Sequence, residues 1–341
     1  MKAIYLQDIN KPLSFTEIDT PVPGPGEAVV AIRAAALNHR DVFIQQGLYP
    51  SIKLPVIPGS DGAGIVTAVG EGVADSWSGQ EVLLNCGHNW GDNPAFYSNR
   101  FTILGMPDNG TFAEYVRIGA EYLHPKPSHL SFAEAAALPL AGLTAWRALM
   151  TQAGLAQSPN PANEKVLITG IGGGVALFAL QFAVAAGAEV WVTSGSAEKL
   201  TKAIALGATG GVNYKDEDWH KSLLSQTGGG RQGYFSVIID GAGGPSFSRL
   251  IDCAAPGGRI AVYGGTTGKI TDLLPAKIFF KQLHITGSTM GTPDEFSAML
   301  AFAEKYQIKP VIDQTFVLAD AEKAYQRMTE GKQFGKLILQ I

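Results

Sequence analysis

From Met1 to about residue 122 the chain alternates short apolar runs, AIYL, AVVAIRAAAL, GAGIVTAVG and EVLL, with turn signals such as PVPGPGE. Apolar runs bounded by Gly and Pro predict strands, so this region reads as a compact β-rich domain. From about Ser128 the texture changes, and helical stretches alternate with the strand-like VLITG, EVWVTS, VIIDGA, RIAVYGG and HITGSTM. That alternation predicts an α/β unit with a doubly wound parallel sheet. The last stretch returns to helix in DEFSAMLAFAEKYQ and DAEKAYQRMTEG and to strand in KLILQI. A short mixed tail after an α/β unit suggests that the tail folds back onto the first domain. The expected division is 1–127 with 293–341 for one domain and 128–292 for the other.

The most informative segment within this pattern is KVLITGIGGGVALFALQFAVAAGAEVWVTSGSAEKL, residues 165–200. Val166 to Thr169 suits a fully buried strand, Val175 to Ala186 a helix covering the sheet, and Val190 to Thr193 a second strand, with Gly187 as the helix stop. Between strand and helix lie Gly170, Gly172, Gly173 and Gly174. Glycine permits the tight turn and lets a pyrophosphate approach the amides at the helix start, where the dipole favours an anion. The segment therefore predicts the first half of a dinucleotide-binding unit, with Val175 opening the helix. The plain alternative is a glycine-rich turn that binds nothing.

Cofactor preference is read at the end of the second strand, where an acid would accept the ribose 2′-OH of NAD. Here the chain carries Thr193, Ser194, Gly195 and Ser196, with Lys199 shortly after. Small hydroxyls and a cation suit a 2′-phosphate, so NADPH is expected over NADH. The competing possibility is that Glu198 reaches the ribose and Lys199 is a solvated helix residue.

Composition narrows the class further. A chain of 341 residues, 46% of them hydrophobic, has room for two domains with substantial cores. The formal charge is −4 with no long run of either sign, which leaves no electrostatic footprint for nucleic acid or an anionic membrane. Two cysteines, Cys86 and Cys253, make no disulfide framework, and MKAIYLQDINK opens on a strand pattern in place of a secretory signal. A cytoplasmic location is expected. The apolar stretch Ala133 to Leu149 is interrupted by Glu134, Pro139 and Arg147, so no transmembrane helix is expected.

Taken together, GEAVVAIRAAALNHRD, PVIPGSDGAGIVTAVG, FAEYV, EAAALPLAGLTAWRAL, the glycine turn and FGKLIL resemble the medium-chain dehydrogenase/reductase superfamily over essentially the whole chain. The resemblance is strongest to its zinc-independent, quinone-oxidoreductase-like members. It implies a GroES-like β-rich catalytic domain joined to a Rossmann domain. Zinc members hold their catalytic metal with a cysteine, a histidine in a GHE motif and a third cysteine or acid. Those positions correspond here to Asn38, Ser60 and the neighbourhood of Leu140 and Ala141, none of which supplies a thiolate or imidazole. The segment NCGHNWGDNPAFYSNRFTILG carries only Cys86 where a structural zinc lobe needs four cysteines. His39 and His88 lack companions at ligand spacing, and His88 with Trp90 and Trp77 is expected to shape a loop near the substrate mouth or to lie on the surface. A metal-free enzyme is expected.

The same resemblance implies roles for individual residues. Asn38, in an N-x-x-D pattern with Asp41, would place an amide near nicotinamide and substrate while Asp41 orients the loop; the plainer possibility is that both cap the following helix. Tyr49 would line the substrate pocket and donate to a carbonyl oxygen, or simply pack in a turn. Thr144 would sit beside the nicotinamide, and Tyr214 would join Ser194, Ser196 and Lys199 at the 2′-phosphate. Gly241, Tyr263, Gly264, Gly265, Thr266, Ser288, Thr289 and Met290 would close the cofactor groove, and Lys336 would approach the cofactor. The implied reaction is hydride transfer from NADPH to a small-molecule electron acceptor, a quinone or a carbon–carbon double bond conjugated to a carbonyl. Enoyl-thioester reduction, alcohol dehydrogenation, and a structural or regulatory NADPH-binding role with little turnover remain open alternatives. HITGSTMG is expected at a sheet edge, where an exposed apolar strand needs covering, so a homodimer is expected.

Overall fold

The computed structural model describes residues 1–341. The chain divides into two compact units, Met1–Leu143 with Thr292–Ile341, and Thr144–Gly291. The first break falls after Leu143, beyond the residue 127 expected from sequence. Helix α2 (Phe132–Ala137) follows that point but packs on strands of the first unit, β3 (Glu27–Ala36), β4 (Asp61–Val69) and β17 (Lys336–Gln340).

In the first unit β1 (Lys2–Tyr5) pairs with β2 (Ser14–Glu17), and β6 (Gly87–His88) with β7 (Thr102–Ile103). The main sheet runs β16 (Ile312–Val317), β17, β3, β4, β5 (Glu81–Leu84) and β9 (Leu123–Pro125), with β8 (Tyr115–Gly119) also on β3. The carboxy-terminal strand β17 is thus inserted antiparallel beside β3, Ile338 opposite Ala36. Ala36 is in turn opposite Asp61 on β4. This double register brings the end of β3, the start of β4 and the start of β17 together. Helix α1 (His39–Gln45) follows β3 directly, and α9 (Pro293–Lys305) and α10 (Ala321–Thr329) lie in the returning tail.

The second unit is a six-stranded parallel sheet of β10 (Lys165–Ile168), β11 (Glu189–Ser194), β12 (Gly210–Asn213), β13 (Phe235–Asp240), β14 (Ala254–Val262) and β15 (His284–Gly287). Its order β12-β11-β10-β13-β14-β15 is the doubly wound 3-2-1-4-5-6 arrangement, which places the switch point between β10 and β13. Helix α4 (Gly174–Ala185) is apolar nearly all round and buries Leu177, Phe178, Leu180 and Phe182; Gly187, at φ +91°, ends it. Helix α5 (Ala197–Ala205) follows β11, and α6 (Trp219–Thr227), α7 (Phe247–Cys253) and α8 (Pro275–Lys281) precede β13, β14 and β15. Helix α3 (Pro139–Trp146) contains the break between the units.

Strands β12 and β16 are among those that escaped the apolar pattern. In β12, GGVN, a methyl group at Gly210 would lie 2.5 Å from the Trp191 ring, so glycine lets the backbone approach that indole and removes the alternation that marks a strand. Strand β16, IDQTFV, is polar and half-buried. No helix is long and apolar enough to cross a membrane.

Candidate functional site

In the first unit the converging strand ends carry a buried polar cluster. Lys336 Nζ donates to Asn38 Oδ1 (2.7 Å) and Asp61 Oδ2 (2.9 Å), and Asn38 Nδ2 donates to the same Asp61 oxygen (2.9 Å). The other Asp61 oxygen accepts the Leu140 N–H at 2.9 Å, and its backbone carbonyl accepts Thr111 Oγ1 at 2.7 Å. Asp61 is 0% and Lys336 4% exposed. A buried ion pair of this kind needs its remaining polar capacity satisfied, and here two neutral donors complete it.

A second buried cation lies alongside. Arg40, in the first turn of α1, donates from Nη1 to Ser60 Oγ (2.7 Å) and Leu104 O (3.0 Å) and from Nη2 to Met106 O (3.1 Å). Its guanidinium stands 5.0 Å from the Tyr49 ring centroid, within cation–π range. Tyr49 also packs on the apolar cluster of Leu6, Ile44, Val56 and Met106, the packing role that the sequence allowed. The three positions that the resemblance equates with metal ligands are therefore taken up internally: Asn38 by Lys336 and Asp61, Ser60 by Arg40, and the Leu140 amide by Asp61. No group of three or more His, Cys, Asp or Glu side chains is placed to hold a metal ion.

Asn38 is the N-cap residue of α1, but its side chain faces the ion pair, and the capping contact comes from Asp41, whose carboxylate accepts the Asn38 N–H at 2.8 Å. Full burial pushes the Asp41 carboxyl up to about 6 against the pull of Arg40. His88 is buried, not at the surface, and its ring stacks on Tyr122 at 4.0 Å; desolvation holds its imidazole below the usual range. Trp90 is likewise buried, edge-on to Tyr97 and Phe101.

In the second unit the glycine turn has the geometry of an anion cradle. Gly170 (φ +64°) and Gly172 (φ +127°) hold left-handed conformations, and Gly173 begins α4 without a side-chain cap. Methyl groups at Gly170 or Gly173 would meet no atom within 4 Å, so the space over the turn is open. The turn is tied to the next strand, Gly170 N–H donating to Thr193 Oγ1 (3.2 Å) and Ile171 N–H to Thr193 O (2.8 Å). Ser194 ends β11 with its hydroxyl accepting the Ser196 N–H, and Ser196 caps α5 through the Lys199 N–H. Glu198 is exposed and turned to Lys202, Oε1 to Nζ 2.6 Å, so it does not reach back to the strand end.

Across the switch point, Thr169 Oγ1 donates to Asp240 (2.6 Å), which also accepts the Gly243 N–H (2.9 Å). The Tyr263 ring lies over Gly241, where a methyl group would fall 2.4 Å from it, and Thr266 N–H returns to Gly241 O (3.3 Å). A methyl group at Gly264 would fall 2.8 Å from Gly241 O. Gly241 and Tyr263–Thr266, including Gly265, thus form one wall at the sheet's carboxyl edge. Beyond β15, Ser288 and Met290 are buried and Thr289 is exposed; Met290 Sδ accepts Thr144 Oγ1 at 3.8 Å. Sequence reasoning missed Asp61 and Arg40. The available signal for the first was an acid opening an otherwise apolar strand.

Two stability predictions follow from this geometry. Asp61→Asn leaves the Lys336 ammonium buried without its counter-charge and is expected to cost about 3–5 kcal/mol in chemical denaturation, most of it recovered when Lys336→Met is added. A cost under about 1 kcal/mol would contradict the pairing. Asp41 holds its proton to about pH 6 in the folded chain and to 3.8 as a free side chain. Its contribution to stability is therefore full below the lower value and lost as pH rises through the upper one. Asp41→Asn is expected to flatten the stability profile between about pH 4 and pH 7 and to be the more stable form at neutrality; an unchanged slope would contradict this.

Comparison with known proteins places the two units in one family. Residues 24–128 match the alcohol dehydrogenase GroES-like domain and residues 174–305 the zinc-binding dehydrogenase model. The chain is 40% identical, over 97% of its length and 95% of the relative's, to the zinc-type alcohol dehydrogenase-like protein YogA of Leptosphaeria maculans. It is 30% identical, over 96% of its length and 95% of the relative's, to a quinone oxidoreductase of Pseudomonas aeruginosa. Among solved structures, one described as an NAD-dependent alcohol dehydrogenase aligns over 100% of both chains with a TM-score of 0.92 and 38% identity. With a GroES-like unit, a doubly wound Rossmann unit and full-length relatives of this kind, the chain belongs to the medium-chain dehydrogenase/reductase superfamily and is an oxidoreductase of that family.

Proposed function

We propose that this chain reduces an electron-poor acceptor, a quinone or an α,β-unsaturated carbonyl, with NADPH and without a metal. The observation that carries the reading is the capture of Asn38, Ser60 and the Leu140 amide by Lys336, Arg40 and Asp61. A tetrahedral zinc site needs anionic sulfur, imidazole nitrogen or carboxylate donors around an open centre. Here an amide and a hydroxyl are already hydrogen-bonded to two fixed cations, a donor set that does not fit zinc. "Zinc-type" and "zinc-binding" describe the relatives and the family model, and come to this chain by name alone.

The nicotinamide supplies the hydride when bound. The glycine turn and the start of α4 would receive its pyrophosphate, and the carboxylate-free end of β11, with Ser194, Ser196 and Lys199, would receive the 2′-phosphate. The Asn38 amide, held by Asp61 and Lys336, presents a pre-oriented dipole that needs no reorganisation as charge develops on the acceptor oxygen. Arg40 and Lys336 add fixed positive potential in a desolvated setting. The proton that completes the reduction comes from water or from Tyr49.

A second reading, an alcohol dehydrogenase using NAD(H), is favoured by the description of the aligned solved structure. Initial rates with NADPH and NADH against quinones, enals, enoyl thioesters and, in reverse, alcohols separate the two. The proposal expects acceptor-dependent NADPH oxidation at a kcat/KM at least about tenfold above that with NADH, a gap of roughly 1.4 kcal/mol. NAD-preferring alcohol oxidation would establish the second reading, and tight NADPH binding without turnover would overturn both.

We also propose that the chain forms a homodimer through β15. That strand closes one end of the sheet, and Ile285 on it and Phe280 just before it are exposed. An apolar edge with unpaired backbone groups favours two-fold pairing with a second copy. Sedimentation velocity is expected to show a dimer that Ile285→Lys shifts towards monomer; a monomeric wild type would contradict this.

A further inference from the structure

The end of β11 is shaped by a glycine whose backbone does not require one. Gly195 does not lie in the left-handed region, yet a methyl group there would fall 2.8 Å from Lys215 Cε and 2.8 Å from the Tyr214 hydroxyl. What glycine provides at this position is space: it lets both side chains lie across the strand end. A matching arrangement occurs one strand away, where a methyl group at Gly172 would meet Lys199 Cδ at 2.9 Å and Nζ at 3.4 Å. The turns after β10 and β11 thus each have a lysine laid over a glycine, Lys199 from the first turn of α5 and Lys215 from the segment after β12.

Of the acids near this pair, Glu198 is engaged with Lys202 and Asp218 with Lys221 at 2.9 Å, while Asp216 and Glu217 follow Lys215 directly in the same exposed segment. The polar groups at the strand end itself are the hydroxyls of Ser194, Ser196 and Tyr214. Lys215 is exposed and its backbone is fixed, its N–H donating to Asn213 Oδ1 at 3.0 Å. Two ammonium groups of this kind meet a dianionic phosphate with charge-assisted hydrogen bonds, whereas a ribose 2′-hydroxyl gains little from them.

We propose that Lys215 is a second cation of the 2′-phosphate pocket and, with Lys199, determines the preference for NADPH. This rests on the NADPH reading given above. The role is one of binding specificity: Lys215 holds the nucleotide's phosphate and takes no part in the chemistry.

Isothermal titration of the full chain with 2′,5′-ADP and with 5′-ADP tests this without turnover. Wild type is expected to bind 2′,5′-ADP the more tightly. Lys215→Gln is expected to weaken 2′,5′-ADP about tenfold while leaving 5′-ADP unchanged, and to lower the salt dependence of the former. Gly195→Ala, which leaves both lysines in place but fills the space that Lys215 and Tyr214 cross, is expected to lower the same affinity. If wild type binds the two nucleotides equally, the NADPH reading itself fails and the assignment goes with it. If wild type discriminates but Lys215→Gln weakens neither nucleotide, or both alike, the NADPH reading stands and the role of Lys215 is overturned.

Discussion

The buried contact of Lys336 with Asp61 and Asn38 is the constraint on which the first unit is organised. It joins residues 298 positions apart in sequence, from the start of the last strand to the end of β3. Its geometry depends on two strand registers being correct at once, Ala36 opposite Asp61 and Ala36 opposite Ile338. A shift of one residue in either pairing would turn Asp61 or Lys336 to the wrong face and strand a charge in an apolar interior. The pair therefore contributes specificity of register more than net stability, since two charges must be desolvated to form it.

In the proposed reaction the same contact would bear on the chemistry. Arg40 and Asp41, consecutive in α1, add a second positive and a second acidic group to the buried region. The resulting arrangement places fixed cations against the amide of Asn38 and the hydroxyl of Ser60. A metal ion would bring mobile coordination and Lewis acidity to such a place. In the proposed metal-free reduction an ammonium and a guanidinium would bring positive charge and directional hydrogen bonds instead, suited to stabilising an oxygen that gains charge.

The second unit was largely legible in the sequence because its strand-to-helix turn is written in backbone conformation. Gly170 and Gly172 were recognisable as turn glycines, and both hold positive φ. The strands of the sheet were legible as apolar runs except β12, whose glycines face Trp191 and Leu200 and erase the alternation. The polar cluster was harder to read. Asn38 was found through resemblance, but nothing in local sequence says that its amide turns away from the helix it caps. The role of Asp61 depends on strand pairing, and Lys336 meets it only through the return of the tail. Long-range register creates these contacts, and single-sequence periodicity carries no information about it. The place of Lys215 over Gly195 is hidden for the same reason, since it follows from β12 lying next to β11.

The central proposal, that the chain works without a metal because internal cations occupy the positions the resemblance equates with metal ligands, is tested most directly by elemental analysis of the catalytically active protein purified from zinc-supplemented cells and dialysed against a chelator. The account predicts far less than one zinc per chain with full acceptor reduction retained. Stoichiometric zinc whose removal abolishes turnover would contradict it.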